Sequence, residues 1–189
     1  TIGGMAANNS CGGRSIRYGM MRDNVIAIDA LLADGSHGHF GIHDQTKPSP
    51  TGLLGKILPE LLDLGETYCD DILSSFPKIL RRVGGYNIDA LVPDAMALRP
   101  NGKHGDGINL AHLLVGSEGT LAYSTAITLK LSPLPAKKLM ALCHFPTFYK
   151  AMDAAQHIVK LGPVAVELID KTMLDLARSI AVFRPTVES

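Results

Sequence analysis

The sequence predicts an α+β chain in two parts. Three observations carry that reading. A strand-like apolar run, Val25–Leu32, follows directly on a glycine- and asparagine-rich stretch. From Leu53 to Leu80 the apolar residues switch to helical spacing. Beyond Pro133 and Pro135, strand-like and helix-like segments alternate, which is the opening of an α/β or ferredoxin-like unit.

The totals set the class. A chain of 189 residues is long enough for one sizeable core, or one domain and part of another. Its 46% apolar and 19% charged residues are those of a globular protein rather than a disordered one. Lys+Arg and Asp+Glu balance at 18 each, so nothing marks a nucleic-acid partner or an acidic membrane surface. No apolar run is long enough to cross a bilayer, and no signal-peptide pattern opens the chain. Cys11, Cys69 and Cys143 are odd in number and lack metal-ligand spacing, which fits a reduced, intracellular setting. The chain opens at Thr1 without an initiator Met and stops soon after a predicted helix, so it reads as a piece cut from a longer protein.

Taken in order, Gly3-Gly4 and Gly12-Gly13 bracket small and amide side chains, and this stretch reads as a loop. Such a loop can turn a row of backbone N–H groups toward an anion or a polar ring. After the strand Val25–Leu32, Asp34-Gly35 signals a turn and Ser36–Ile42 returns as a hairpin partner. Leu54, Ile57, Leu58, Leu61 and Leu62 form one helical stripe, and Tyr68, Ile72, Leu73 and Phe76 continue it. Pro59 is expected to start or kink a helix, and Pro77 to end one. Arg81–Asp89 is a second glycine-tyrosine-asparagine loop, and Leu91–Gly107 reads as an irregular, mobile excursion. Asn109 caps a short helix over Leu110–Val115, and Gly116–Thr120 makes a tight turn. Leu121–Leu131 is a strand with Ile127, Leu129 and Leu131 on one face. The second part is read as strand Lys138–Phe145, helix Thr147–Leu161 capped by Thr147 and Gly162, strand Val164–Leu168 and helix Asp170–Ile180.

Standard nucleotide motifs are absent: there is no GxGxxG between strand and helix, and Gly52–Ile57 lacks the P-loop spacing. His37 and His39 share a strand face beside His43, but no third and fourth ligand accompanies them, so the reading is a solvated hairpin end without metal. Cys11 has no histidine near it in sequence and reads as a small space-filling residue rather than a reactive thiol. Ser117 lacks a GxSxG elbow and shapes a turn. Glu118, between serine and glycine in GSEG, reads as a turn residue or hydrogen-bond acceptor before a general base. Arg14, Arg17 and Arg22 divide evenly between phosphate partners and solvated surface charges. Tyr18 and Tyr86, each in or beside a glycine loop, either stack on a ring or pack.

Two stretches together carry a resemblance. Residues 1–36, TIGGMAANNSCGGRSIRYGMMRDNVIAIDALLADGS, resemble the second half of the PCMH-type FAD-binding domain of the vanillyl-alcohol-oxidase superfamily. That pattern runs TxGGxxxxNxxG, then a Tyr-Gly pair, then a strand ending in an LxDG turn. LLVGSEGTLAYSTAITLKL resembles the same family's LVGSEGTLGxxTxxTLKL segment. RRVGGYNIDAL and VELIDKTMLDLAR match the branch of D-lactate, glycolate and D-2-hydroxyglutarate dehydrogenases.

The resemblance implies an antiparallel sheet flanked by helices over 1–135, as the second FAD-binding subdomain, and the start of a ferredoxin-like substrate or cap domain over 136–189. FAD would be shared with a first subdomain that this chain lacks. The loop from Gly3 to Gly13, including Gly3, Gly4, Ala6, Asn8 and Gly12, would meet flavin and pyrophosphate through backbone amides. Tyr18, Gly19, Asp23, Val25, Gly116, Glu118 and Gly119 would line the cofactor, and Ile127 would touch it by its main chain. No catalytic residue and no metal ligand is assigned. The implied activity is oxidation of a D-2-hydroxy acid by hydride transfer to FAD, with an iron–sulfur or quinone electron acceptor, in the cytoplasm or at the inner face of a membrane. The chain alone is expected to bind FAD weakly or not at all. The competing expectations are a non-catalytic binding or assembly module of the same fold and an enolpyruvyl-UDP-sugar reductase-type flavoenzyme.

Overall fold

The computed structural model describes residues 1–92 and 107–188. The chain divides into two compact units, Thr1–Pro133 and Leu134–Ser189. The excursion expected over Leu91–Gly107 falls mostly on residues 93–106, outside the described residues.

The first unit is mixed helix and strand around a small antiparallel sheet, an α+β fold. Its stretch Ile2–Ala7 is a helix, α1, and not the loop that its glycines suggest. Thr1 accounts for the difference: its hydroxyl accepts the Gly4 N–H at 3.1 Å, capping a helix that two glycines would otherwise disfavour. Two single-turn helices follow, α2 (Ser15–Tyr18) and α3 (Met21–Asn24). The Asp23 carboxylate accepts the Met20 N–H at 2.8 Å and so starts α3.

β1 (Val25–Leu31) and β2 (His37–Phe40) form the expected hairpin, with Ile28 opposite Phe40 and Leu31 opposite His37. β3 (Tyr123–Leu129) pairs antiparallel on the other side of β1, giving the order β2-β1-β3. Ile127 stands opposite Ile28 and Val25 opposite Leu129. β3 is shorter than the expected strand: Ile127 and Leu129 are half-buried, while Leu131 lies beyond its end and is 84% exposed.

α4 (Gly52–Thr67) runs through Pro59, and the break comes at Tyr68, before α5 (Cys69–Ser75). Pro59 forfeits one amide bond, but the buried face of Leu54 and Leu58 keeps the helix on the core. That core joins Ile28, Phe40, Leu54 and Leu58 to Leu91, Leu110, Leu113, Leu114 and Val115. α4 approaches a 3-10 turn, Ile88–Leu91, so closely that a Cβ on Gly65 would collide with the Leu91 carbonyl. α6 (Ala111–Leu114) is short, and the Asn109 side chain accepts the Ala111 N–H at 3.0 Å at its start.

The second unit keeps the predicted helices but not the predicted strands. α7 (Phe148–Ile158) is capped by Thr147, whose hydroxyl accepts the Lys150 N–H at 3.2 Å. A 3-10 turn, Val159–Leu161, ends on Gly162 in the left-handed region. α8 (Lys171–Ser179) starts at Asp170, whose carboxylate accepts the Met173 N–H at 2.7 Å, and α9 covers Arg184–Glu188. Lys138–Phe145 and Val164–Leu168 form no ladder, and Leu139, Met140 and Leu142 stand exposed. A strand exists only through its pairing, and within this unit, among the described residues, neither segment has a partner strand.

Candidate functional site

The two resemblance-bearing stretches of the first unit meet. The Gly116 N–H donates to the Ala6 carbonyl at 3.0 Å, and the Glu118 N–H donates to the Ala7 carbonyl at 2.9 Å. The Gly116–Gly119 turn is thereby docked on the C-terminal end of α1. Its shape requires positive φ at Gly116 (+83°), Glu118 (+54°) and Gly119 (+74°). Ser117 does shape this turn: its hydroxyl donates to the Leu114 carbonyl at 2.8 Å, and Thr120 donates to the Ser117 carbonyl at 2.6 Å.

Beneath the junction lies a buried polar frame. Asn9, fully buried at φ +50°, accepts the Arg22 N–H on its Oδ1 at 2.9 Å and donates from Nδ2 to the Arg82 carbonyl at 3.4 Å. Arg22 donates from Nη1 to Asp89 Oδ2 at 2.8 Å, Asp89 Oδ1 at 2.9 Å and Asn87 Oδ1 at 3.2 Å. Arg82 donates to Asp89 Oδ2 at 2.6 Å. Asn87 spends both amide protons on carbonyls at the end of α6, Val115 at 2.7 Å and His112 at 3.2 Å. Burial pushes the Asp89 carboxyl up, but the Arg22 and Arg82 charges and their hydrogen bonds outweigh it, holding Asp89 below the ordinary carboxylate range.

Arg22 is therefore not a solvated surface charge: it is buried, and its Nη1 is committed to Asp89 and Asn87. Cys11 is exposed and fills no space in the core. The expected row of free amides is largely engaged: those of Gly4, Met5, Asn8, Asn9, Ser10 and Gly12 all donate within residues 1–15. What remains open is room. A Cβ at Gly3, Gly12, Gly84, Gly85 or Gly119 would meet nothing, so a planar cofactor can approach these backbones closely. These exposed backbones are sterically open to a flat group, whereas the amides of Gly4–Gly12 that are engaged internally offer no nest.

The other expected positions are spread more widely. Ala6 and Gly116 are buried at the junction, and Gly3, Gly4, Gly12, Glu118 and Gly119 are exposed around it. Asn8 is exposed and accepts from the Ser10 hydroxyl at 2.6 Å, whereas the asparagine of the TxGGxxxxNxxG spacing is its neighbour Asn9. Tyr18 offers its carbonyl to Asn24 at 2.9 Å, and Gly19 (φ +77°) packs so tightly on Asp23 that a Cβ would lie 2.7 Å from its carboxylate. Val25 is buried and its carbonyl lies 3.3 Å from His112 Nε2. Ile127 stands in the sheet opposite Ile28. Asn9, Arg22, Arg82, Asn87 and Asp89 were not singled out as a set by sequence reasoning.

His37 and His39 are exposed, and His39 Nδ1 lies 2.6 Å from Asp29 Oδ1. Among the described residues, no group of three or more His, Cys, Asp or Glu comes together, and no helix is long and apolar enough to cross a membrane.

Comparison with known proteins gives a consistent set of relatives. Residues 1–41 match the FAD binding domain model, and residues 134–188 match the model of FAD linked oxidases, C-terminal domain. Both models indicate FAD as the cofactor class. D-2-hydroxyglutarate dehydrogenase of Pantoea ananatis is 30% identical across 100% of this chain, which covers 18% of that protein. D-lactate dehydrogenase of Archaeoglobus fulgidus is 28% identical across 96% of the chain and 28% of its own length. Glycolate oxidase subunit GlcD of Bacillus subtilis is 26% identical across 92% of the chain and 25% of its own length. The chain thus spans less than a third of each of these curated relatives.

Proposed function

We propose, for this relative of the FAD-linked oxidases, that residues 1–135 form one wall of the flavin site of a D-2-hydroxy-acid dehydrogenase and that residues 136–189 begin its substrate domain. The observation that carries the reading is the docking of Gly116 and Glu118 onto the carbonyls of Ala6 and Ala7. It brings together the two stretches that, by resemblance, flank a flavin. When bound, FAD supplies acceptance of a hydride from the substrate α-carbon. The chain's own part is to bind and orient. The frame of Asn9, Arg22, Asn87 and Asp89 fixes the turn against α1, and Gly12 and Gly119 leave their backbones accessible. Gly3, Gly4, Ala6, Asn8, Tyr18, Gly19, Asp23, Val25 and Ile127 remain proposed lining positions of the same wall.

The lactate, glycolate and 2-hydroxyglutarate class is the proposed substrate, and an iron–sulfur or quinone partner the proposed acceptor. The test is made on the longer protein containing this chain: it should purify yellow and bleach on adding D-2-hydroxyglutarate, D-lactate or glycolate. The 189-residue chain alone should hold FAD too weakly to isolate a complex. A 1:1 yellow complex of the chain alone that reduces dichlorophenolindophenol with D-lactate would sink this division of labour. One observation favours the alternative of a non-catalytic module, namely the internal engagement of the amides around Gly4–Gly12. A colourless longer protein without FAD affinity would select it.

A further inference from the structure

We infer that Tyr86 is an aromatic platform on which a planar heteroaromatic ring of the cofactor stacks at the rim of the Gly116–Gly119 turn. The inference rests on the flavin reading above. It concerns a segment, Arg81–Asp89, that lies outside both stretches matched by the family models.

Tyr86 is 48% exposed, yet both ends of it are held. Its hydroxyl pairs with the Thr120 hydroxyl at 2.8 Å, at the far end of the turn. Its main chain is fixed by the next residue, Asn87, which is buried and bonded to Val115, His112 and Arg22. An exposed aromatic ring held at both ends loses little further freedom when a ligand settles on it. Tyr68 and Tyr123 are more exposed, so exposure alone does not single Tyr86 out; what distinguishes it is a ring tied through its hydroxyl to Thr120 and followed directly by the buried, hydrogen-bonded Asn87.

The surroundings admit a flat ligand. Gly84 and Gly85 precede the ring and Gly119 lies across the turn, and a Cβ at any of the three would meet nothing. The Gly85 carbonyl lies 3.6 Å from where a Gly116 Cβ would stand, so the two glycine segments adjoin. Stacking tolerates either flat ring of FAD, because each has a π face. The shared chemistry is ring stacking, and the isoalloxazine and the adenine are its two sources.

Saturation-transfer NMR detects the weak binding expected of this chain. FAD, riboflavin and adenosine monophosphate are each added to the 189-residue chain and to its Tyr86→Leu and Tyr86→Phe variants. The expected result is transfer to FAD ring protons and to those of riboflavin or of the nucleotide, which tells the two sources apart. Tyr86→Leu should weaken ring binding about tenfold, while Tyr86→Phe, which keeps the ring, should retain most of it. Intermolecular NOEs from the Tyr86 ring in the unmodified chain give the same answer if the leucine variant does not fold. Undiminished FAD binding in Tyr86→Leu, or NOEs to FAD that avoid the Tyr86 ring, would overturn the stacking role and leave the flavin reading intact. No transfer to any of the three ligands would overturn the stacking role, while the flavin reading, which allows the chain alone to hold no FAD, is decided by the colour of the longer protein.

Discussion

Asn9 Oδ1 accepts the backbone N–H of Arg22 at 2.9 Å, joining the segment that follows α1 to α3 inside the protein. Asn9 is a left-handed residue with no solvent exposure, so the bond is made where water cannot replace it. Replacement by alanine leaves the Arg22 amide without that acceptor and removes the amide side chain that favours positive φ. Asn9→Ala should cost about 1–3 kcal/mol in urea unfolding, and Asn9→Gly less than alanine.

Asp89 balances two arginines, and its loss leaves buried positive charge. Asp89→Ala should destabilise the first unit by about 3–5 kcal/mol, read from the shift of the urea midpoint.

The same carboxylate makes the unit acid-sensitive. Its pKa is lowered in the folded protein by Arg22 and Arg82 acting against burial. A depressed folded value means that its stabilisation is complete above the unfolded value of about 3.9. It is lost as pH falls through the folded value. Urea midpoints followed downward from pH 6 should therefore drop below about pH 4. Asp89→Asn should start from a lower midpoint and drop less. An identical acid limb in both proteins would assign the sensitivity to other carboxylates.

Gly116 carries φ +83°, and a Cβ there would stand 3.3 Å from the Asn9 Cβ. Gly116→Ala should cost about 1–2 kcal/mol through backbone conformation alone. It should also accelerate amide exchange at Gly116 and Glu118, whose bonds to Ala6 and Ala7 dock the turn.

Leu54 is fully buried between α4 and the hairpin. Leu54→Ala should cost about 2–5 kcal/mol in the same unfolding assay, without altering the hydrogen bonds around Asn87.

What was legible in the sequence was mainly local. The Asp34-Gly35 hairpin, the Thr147 cap, Gly162 and the Ser117 turn each depend on residues a few positions apart, and each formed as read. α1 escaped notice because its two glycines argue for a loop, while the Thr1 cap decides for a helix. The buried frame was illegible for a different reason. Arg22 meets Asn87 and Asp89 across 65 and 67 positions, and no periodicity reports such a meeting. The one available signal was the spacing of Asn87 and Asp89 after Gly84-Gly85, two polar residues alternating into a stretch that turns apolar. The strands expected after Pro135 had apolar patterning but no partner within their unit, and patterning alone cannot supply one.

Gly65 gives the first unit a mechanical property. Its bare Cα abuts the Leu91 carbonyl, and Leu91 closes the same turn that carries Asp89, two residues after Asn87. The depth at which α4 seats therefore sets the height of both polar side chains. A methyl group added at Gly65 would act as a wedge, lifting the turn and carrying the displacement through Asn87 into the Val115–Gly116 backbone.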